Sequence, residues 1–314
     1  MVEGRNLRGV VAVCLCGLLL RAVPAKGQAS ATVHGGGRTA ISLAVQDGNG
    51  VAIAGAAAHG AGARPVAMDF ERVYQPGDRI VLRGPRRVAL RVDATMPECL
   101  LYLPGSLGGE GEFDYIVPYG RAEKETGSAY DPASFAGSSH HVTARPWTDA
   151  ERTGYRNLAL NPCDLLEPQE GSATAYPHSS TNSYSRNLYD FAARNAIDGV
   201  TQDGHHGTWP YQSWGPGLRL DLWWKLDFGR PVELDKIRLL VRTDFPHDSY
   251  WKSAVVEFSD GSLLPITITN SGEFQEFSFP KRQVTWFRLN NLVPEDPARW
   301  CALMEVEAWG RDLP

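Results

Sequence analysis

The chain has 314 residues, a formal net charge of −5 and a hydrophobic content of 43%. This length suits two domains of ordinary size, and the acidic balance argues against nucleic acid as the main partner, because phosphate binding requires a basic face. The 32 glycines and 21 prolines favour a turn-rich, all-β protein over a helical one, and the net charge still leaves room for a local basic patch.

The first 25 residues have the order of a secretory signal peptide. Arg5 and Arg8 precede an apolar run from Gly9 to Leu20, and small residues follow it. The run is too short to span a bilayer. We therefore interpret residues 1–25 as a signal peptide, or else as a disordered extension, and expect a secreted or cell-surface protein with no transmembrane span.

A small β-rich domain of unknown type is predicted over residues 31–150. Short segments of alternating polar and apolar residues recur there at a spacing of roughly ten residues, divided by glycine and proline turns, as is typical of a small sandwich. Residues 48–63 are predicted to be a loop or a poorly ordered segment, and residues 106–141 are predicted to be rich in loops, with few strong strand signals. The expected strands lie at 39–45, 73–82, 88–93 and 100–103.

The second predicted domain begins at a junction near residue 156 and runs to residue 311. Eight of the nine tryptophans lie in this part of the chain. Asp260-Gly261 has the composition of a hairpin turn, and weak helical periodicity over residues 188–196 predicts one short helix. Seven segments are predicted to form a two-layer antiparallel sandwich: 223–228, 236–242, 253–258, 263–269, 275–279, 284–289 and 302–309.

Three of the five cysteines lie beyond the N-terminal apolar run, at Cys99, Cys163 and Cys301. The chain has neither a CxxC pair nor a Cys/His zinc pattern, so a structural zinc site is not expected. A bridge between Cys163 and Cys301 would close a long loop of the C-terminal domain. Three free, buried thiols are the alternative that we favour.

A series of short motifs in the C-terminal half recurs in the order and spacing of a known family. They are Asn157-Leu-Ala-Leu, Ala173-Thr-Ala, Asn195-Ala-Ile-Asp-Gly, Ser213-Trp-Gly, Trp224-Lys-Leu-Asp-Phe-Gly, Leu234-Asp-Lys-Ile and Met304-Glu-Val-Glu-Ala-Trp-Gly. Together they are similar to the discoidin, or coagulation-factor type C, domains and to the family-32 carbohydrate-binding modules. The resemblance covers residues 156–311 and implies a galactose-binding-like jelly-roll sandwich.

The same resemblance implies a structural Ca²⁺ in the loop around Asp198. In the family, backbone carbonyls and acidic side chains hold the ion, and a glutamate of the last strand closes the site; oxygen ligands of this kind suit Ca²⁺. The matching positions are Asp198 and Glu305, with a carbonyl from Arg194. The loop after Gly199 is longer than the family pattern, so Asp203 is the candidate to replace the usual ligand. In the alternative, metal-free interpretation, Asp198 only caps the loop through backbone N–H groups.

Two predicted loops combine aromatic rings with polar side chains, as a sugar-binding surface requires. Aromatic rings stack on the C–H faces of a sugar, while His, Arg and Asp side chains read its hydroxyl edges. Trp214 and Trp224 are instead assigned to the core. The candidate ligand-binding residues are His205, His206, Trp209, Tyr211, Arg242, Asp244, His247, Tyr250 and Trp251.

No nucleophile-elbow, HExxH or P-loop motif occurs in the chain, which argues against an enzyme. We therefore predict non-catalytic binding of a glycan or polysaccharide by the C-terminal sandwich. Two alternatives stay open: a protein-interaction or adhesion module and, less favoured, a glycan-active enzyme. The sequence leaves the oligomeric state undefined.

Overall fold

The computed structural model describes residues 40–60, 64–105, 110–118, 129–165, 175–243 and 246–313. Strands dominate these residues, whose helical part is one short α-helix and three 3₁₀ turns, so the prediction of an all-β protein is confirmed. Within the described ranges, none of the helices has the length and apolar character that a membrane crossing requires. The signal-peptide interpretation concerns residues outside this description.

Two four-stranded antiparallel sheets occupy residues 42–146. Their strands are β1 (Ser42–Gln46), β2 (Ala52–His59), β3 (Val66–Glu71), β4 (Arg79–Pro85), β5 (Arg87–Arg91), β6 (Cys99–Tyr102), β7 (Glu110–Ile116) and β8 (Ser139–Pro146). The spatial order is β2-β1-β4-β7 in one sheet and β3-β8-β5-β6 in the other.

The alternation of β3 shows how these sheets enclose a core. Val66, Met68 and Phe70 are buried, while the residues between them are exposed, as the two-residue period of a strand requires. These side chains belong to one apolar cluster with Leu82 and Phe113 of the other sheet.

Two segments in which the sequence gives no clear strand signal contain strands. β2 lies within residues 48–63, and β7 lies within residues 106–141. β2 consists mainly of alanine and glycine, so it has no hydrophobic alternation, and backbone pairing with β1 holds it in the sheet. β7 pairs along its whole length with β4.

A second set of strands follows the helix α1 (Asp149–Thr153). They are β9 (Arg156–Asn157), β10 (His178–Thr181), β11 (Trp224–Val241), β12 (Asp248–Ser249), β13 (Trp251–Phe258), β14 (Leu263–Thr267), β15 (Gln275–Pro294), β16 (Trp300–Cys301) and β17 (Leu303–Asp312). The main sheet has the order β14-β13-β15-β11-β17-β9, with β10 paired to β11, and β12 pairs in parallel with β16. Two 3₁₀ turns, at 189–191 and 193–196, lie where the sequence predicts a short helix, and a third, at 185–187, precedes them.

The two longest strands, β11 and β15, run the length of this sheet and shift register at bulges. One shift falls between Asp227 and Val232 of β11, and bulges of this kind bend a strand without ending its pairing. The core holds Trp214 and Trp224, both 0% exposed, which confirms their assignment to the core. β11 ends at Val241, so the loop that follows leaves the sheet at this point.

The disulfide pairing differs from both expectations. Cys99 and Cys163 are bonded, with Cα atoms 6.2 Å apart, and Cys301 is the free, buried thiol of the described residues. Cys163 packs in the apolar cluster of the first two sheets, whereas Cys301 belongs to the cluster of the second set of strands. A Cys163–Cys301 bridge is therefore wrong, because the two thiols lie in different cores.

A buried guanidinium connects the two sets of strands. The Cζ atom of Arg230, on β11, lies 5.1 Å from the ring centroid of Tyr102 and 5.2 Å from that of Trp147. Asp312 balances its charge and also accepts a hydrogen bond of 2.7 Å from Arg156. These contacts tie β11 and β17 to β6 and to the chain that follows β8.

Candidate ligand-binding site

A pocket opens beyond the end of β11, and we name it the Arg242 pocket. Its volume is about 140 Å³, roughly ten times the space that one buried water needs, which suits a small ring-shaped ligand. The described residues that line it are Ser185, Arg186, Phe191, His206, Gly215, Arg242, His247, Trp300 and Cys301.

Arg242 contributes a guanidinium that is held on two sides. Its Nε donates to Oδ2 of Asp248 at 2.5 Å and its Nη2 donates to Oδ1 at 3.3 Å, while Nη1 donates to Oγ of Ser213 at 3.1 Å. The side chains of Arg242 and Asp248 are 3% and 0% exposed. These bonds fix the orientation of the guanidinium and use three of its five N–H donors. The other two donors remain for a ligand.

The two histidines of the pocket are neighbours. The ring centroids of His206 and His247 are 4.7 Å apart, and Nδ1 of His247 lies 2.9 Å from Oδ1 of Asp248. Burial lowers the pKa of His206, and its interactions with Arg242 and His247 lower this pKa further, while the charge of Asp248 opposes the shift. His206 is therefore neutral at pH 7, and a neutral imidazole offers one donor and one acceptor.

Aromatic side chains form the apolar part of the pocket. Trp300 is 39% exposed, and Leu218 on a neighbouring loop is also exposed. A Cβ atom added at Gly217 would lie 3.9 Å from Trp300, so this loop borders the indole. Phe191 is buried, and a Cβ atom added at Gly215 would come within 2.9 Å of its ring, so only glycine permits this close approach.

Two local features place side chains that come from distant parts of the chain. Arg186 and Asn187 have φ angles of 56° and 54°, in the left-handed region that non-glycine residues rarely occupy. In this turn the Cζ atom of Arg186 lies 5.6 Å from the ring centroid of Phe191. Trp300 is positioned by the parallel pairing of β16 with β12, in which it stands opposite Asp248.

The structure brings three of the predicted ligand-binding residues into the Arg242 pocket: His206, Arg242 and His247. Trp251 is 2% exposed, and its ring stacks on Trp214 with centroids 5.4 Å apart. It opens β13, whose alternation directs it inward, so its assignment to ligand contact is wrong and it belongs to the core.

The other predicted ligand-binding residues do not line this pocket in the described part of the chain. His205 and Tyr211 contact each other, with ring centroids 5.3 Å apart, and Trp209 is half-buried on the same loop. Tyr250 lines a second pocket, and Asp244 lies outside the described residues. A role in binding for these residues stays a prediction.

Sequence reasoning missed Arg186, Phe191 and Trp300. The first two lie in or beside the segment with helical periodicity, which gives no reason to place them in a pocket. The available signal for Trp300 was its position directly after the largely polar run 295–299, where a large apolar side chain is hard to bury.

A pair of buried carboxylates lies where the sequence predicts Ca²⁺. Asp198 accepts hydrogen bonds of 2.9 Å from the Val200 N–H and from Nε2 of Gln212. Glu305, on β17, accepts one of 3.2 Å from the Gly199 N–H. The loop-capping contact of the metal-free interpretation is therefore present in the structure.

Burial perturbs both carboxyl groups of this pair. Burial raises the pKa of Asp198 to about 6, although the charge of Arg194 opposes the rise. Burial and the charge of Asp198 raise the pKa of Glu305 well above its usual range. Oε1 of Gln212 is buried with no hydrogen-bond partner among the described residues. Two carboxylates and an orphaned amide oxygen are ligands that Ca²⁺ prefers, so these residues fit the ion.

The other two predicted metal ligands fit less well. The Arg194 side chain donates to the carbonyls of Asp164 and Pro162, and its own carbonyl accepts a hydrogen bond of 3.1 Å from the Ile197 N–H. Asp203 is half-buried on the long loop. In the described ranges no group of three or more His, Cys, Asp or Glu could hold a metal. Metal-binding roles for Arg194 and Asp203 stay predictions.

Residues 172–309 match a protein family described as "Domain of unknown function (DUF7402)". No curated protein matches the chain. Among solved structures, chitosan-binding module 1 of a chitosanase/glucanase from Paenibacillus sp. IK-5 is 19% identical; the alignment covers 49% of this chain and 98% of that chain at a TM-score of 0.35.

A fucose-binding module of Streptococcus pneumoniae, SpX-3, is 18% identical, with 50% of this chain and 98% of that chain aligned at a TM-score of 0.35. The family 32 carbohydrate-binding module from C. perfringens NanJ, solved with galactose, is 12% identical, with 42% and 91% aligned at a TM-score of 0.33. These structures belong to the class that the sequence motifs resemble, the carbohydrate-binding modules.

Proposed function

We propose that the Arg242 pocket binds a glycan without cleaving it. The observation that carries this proposal is the convergence of a fixed guanidinium, two imidazole rings and a partly exposed indole on one ring-sized cavity. Sugar rings present flat C–H faces and hydroxyl edges, so they need an aromatic surface beside rigid hydrogen-bonding groups.

The polar groups of the pocket are ordered before a ligand arrives. Asp248 and Ser213 hold Arg242, so binding need not immobilise a flexible arginine, and this lowers the entropic cost of association. The neutral ring of His206 can both donate to and accept from a sugar hydroxyl, which has the same two capacities. Trp300 supplies the surface for the ring face.

The lining supports binding rather than hydrolysis. Glycosidases commonly use two carboxyl groups that flank the scissile bond, and no carboxylate is among the described residues that line this pocket. Burial raises the pKa of the Cys301 thiol to about 12, so this group is protonated and a poor nucleophile at neutral pH. A single shallow site of this kind should bind weakly, and useful retention would come from several copies or sites.

The Cys99–Cys163 disulfide supports a location outside the cytoplasm. Cytosolic thiols are kept reduced, whereas secreted and surface proteins retain their disulfides. We therefore propose a secreted or cell-surface protein, placed where extracellular glycans are available.

We also propose that Asp198 and Glu305 hold a structural Ca²⁺ together with Oε1 of Gln212. The ion would supply the positive charge that the buried pair needs and would join the Asp198 loop to β17. Thermal unfolding after chelation should show a rise in Tm when Ca²⁺ is restored, and no rise in Glu305→Gln. If Ca²⁺ leaves the Tm of the chelated protein unchanged, the metal-free, capped loop is the correct description.

A glycan-array screen of the protein with matched variants tests the glycan proposal. Trp300→Ala removes the indole and should weaken retention by about tenfold while the Tm stays close to wild type, since the side chain is partly exposed. Leu263→Ala removes another exposed apolar side chain, on β14 and outside the pocket, and should bind as wild type does. A blank array with folded protein would remove the proposal and favour the protein-interaction alternative, and equal weakening by both variants would remove the assignment to this pocket.

A further inference from the structure

The charged lining of the Arg242 pocket is of one sign within the described residues. Arg186 and Arg242 supply this charge, the imidazole rings of His206 and His247 lie beside them, and no aspartate or glutamate is among the described lining residues. This local basic surface stands in a chain whose formal net charge is −5. A neutral sugar needs no such excess of positive charge.

Asp248 contacts two of these basic groups, and its oxygens are already engaged. Oδ2 accepts from Nε of Arg242, and Oδ1 lies 3.3 Å from Nη2 of Arg242 and 2.9 Å from Nδ1 of His247. Its side chain is fully buried and is not part of the lining. Asp248 therefore orients Arg242 from the protein side and leaves the cavity to the basic groups.

Arg186 adds a positive charge without such a partner. It is exposed, and none of the ion pairs between described residues involves it. Its contact is with the ring of Phe191, and it stands in a turn whose left-handed backbone is uncommon for non-glycine residues and clusters at functional sites. Burial is the main cause of the lowered pKa of His206; the charges of Arg242 and Arg186 also lower this pKa, and the charge of Asp248 opposes them.

We propose, on the premise that this pocket binds a glycan, that its ligand is an acidic sugar whose carboxylate or sulfate group lies between Arg186 and Arg242. Guanidinium groups recognise such anions through paired N–H donors, and a charged acceptor strengthens each hydrogen bond. Arg242 keeps two donors that Asp248 and Ser213 do not use. The indole of Trp300 would stack on the C–H face of the same sugar ring.

The test uses the full chain on an array that pairs each neutral glycan with its uronate and sulfated counterparts. The acidic member of a pair should bind at least about tenfold more tightly at low ionic strength. This preference should shrink at about 0.5 M salt, because salt screens exposed charges. A comparison of binding to the uronate members with binding to the sulfated members decides whether the pocket recognises a carboxylate or a sulfate.

Arg186→Gln removes the unbalanced charge and leaves a neutral, polar side chain that is shorter than arginine. It should abolish most of the preference for acidic glycans and leave the Tm unchanged. Arg311→Gln is the matched control, because it removes one exposed positive charge from β17 at a residue that does not line the pocket. Its preference should equal that of wild type.

The possible results separate this inference from the glycan proposal. Equal binding of neutral and acidic members overturns the acidic-sugar assignment and leaves glycan binding in place. Equal losses in Arg186→Gln and Arg311→Gln would show general surface electrostatics and overturn the assignment as well. Binding to no glycan at all removes the proposed function and the inference with it.

Discussion

Replacing Arg242 by methionine should destabilise the protein far more than the loss of a surface charge would. The side chains of Arg242 and Asp248 are 3% and 0% exposed, so the substitution leaves a buried carboxylate without its cation. Breaking a buried pair by removing one partner costs about 3–5 kcal/mol. His247 lies 2.9 Å from the same carboxylate and offsets part of the loss, so we expect the lower end of that range, about 3 kcal/mol.

The double variant Arg242→Met/Asp248→Leu separates stability from binding. Both charges are then absent and apolar side chains of similar volume replace them, a change that is often close to neutral in stability. The double variant should therefore recover most of the free energy that Arg242→Met loses. It still lacks the guanidinium, so it should not regain glycan binding.

Urea unfolding is followed by tryptophan fluorescence and circular dichroism in wild type, Arg242→Met, Asp248→Leu and the double variant. Where the two signals coincide, it gives the unfolding free energies of the four proteins. A loss below about 1 kcal/mol in Arg242→Met would match a solvated pair and refute the reasoning from burial. Full glycan binding by the folded double variant would refute the role of Arg242 as a ligand contact.

Three further predictions concern the core, the disulfide and the response to acid. Trp251→Ala removes a ring that is buried in the core and should lower the unfolding free energy, measured by urea unfolding, by about 3–5 kcal/mol. A loss of less than about 0.5 kcal/mol would contradict its buried position. Replacing Cys99 and Cys163 by serine removes a cross-link between residues 64 positions apart and should lower the unfolding free energy by about 4 kcal/mol. The loss should appear as a fall in Tm, and an unchanged Tm would count against the pairing. Arg145 lowers the pKa of Glu151 to about 2, so this pair stabilises the fold fully above the usual pKa of 4.5 and loses its effect as the pH falls towards 2. Glu151→Gln should therefore show a smaller drop in Tm than wild type between neutral pH and about pH 3, and equal drops would show that the pair does not contribute.

Local alternation was sufficient to locate strands with one buried face. β13 and β14 lie where the sequence predicts strands, because a strand with one side towards water must alternate. The sequence did not predict β2, because its alanines and glycines do not alternate between polar and apolar residues. Its backbone pairing with β1 cannot be inferred from composition. β15 joins two predicted segments, because pairing with β11 continues across its bulges.

Composition could not decide which thiols and which aromatic rings are buried. Cys163 lies at the start of the C-terminal half but packs in the core of the first two sheets, and this position selects Cys99 as its partner. Trp251 and Trp300 both stand in segments with polar neighbours. The register of β13 turns the first inward, whereas the second stays partly exposed in the short strand β16.

The sequence alone was enough to predict the all-β class, the core position of Trp214 and Trp224, and three residues that line the Arg242 pocket. His206, Arg242 and His247 could be identified because loops that mix charged and aromatic side chains indicate a binding surface. Only the tertiary structure decided that Arg186 and Trp300 join them. Arg186 enters through a left-handed turn, and Trp300 enters through parallel pairing with the Asp248 segment. Both placements depend on contacts between distant parts of the chain, which local periodicity does not record.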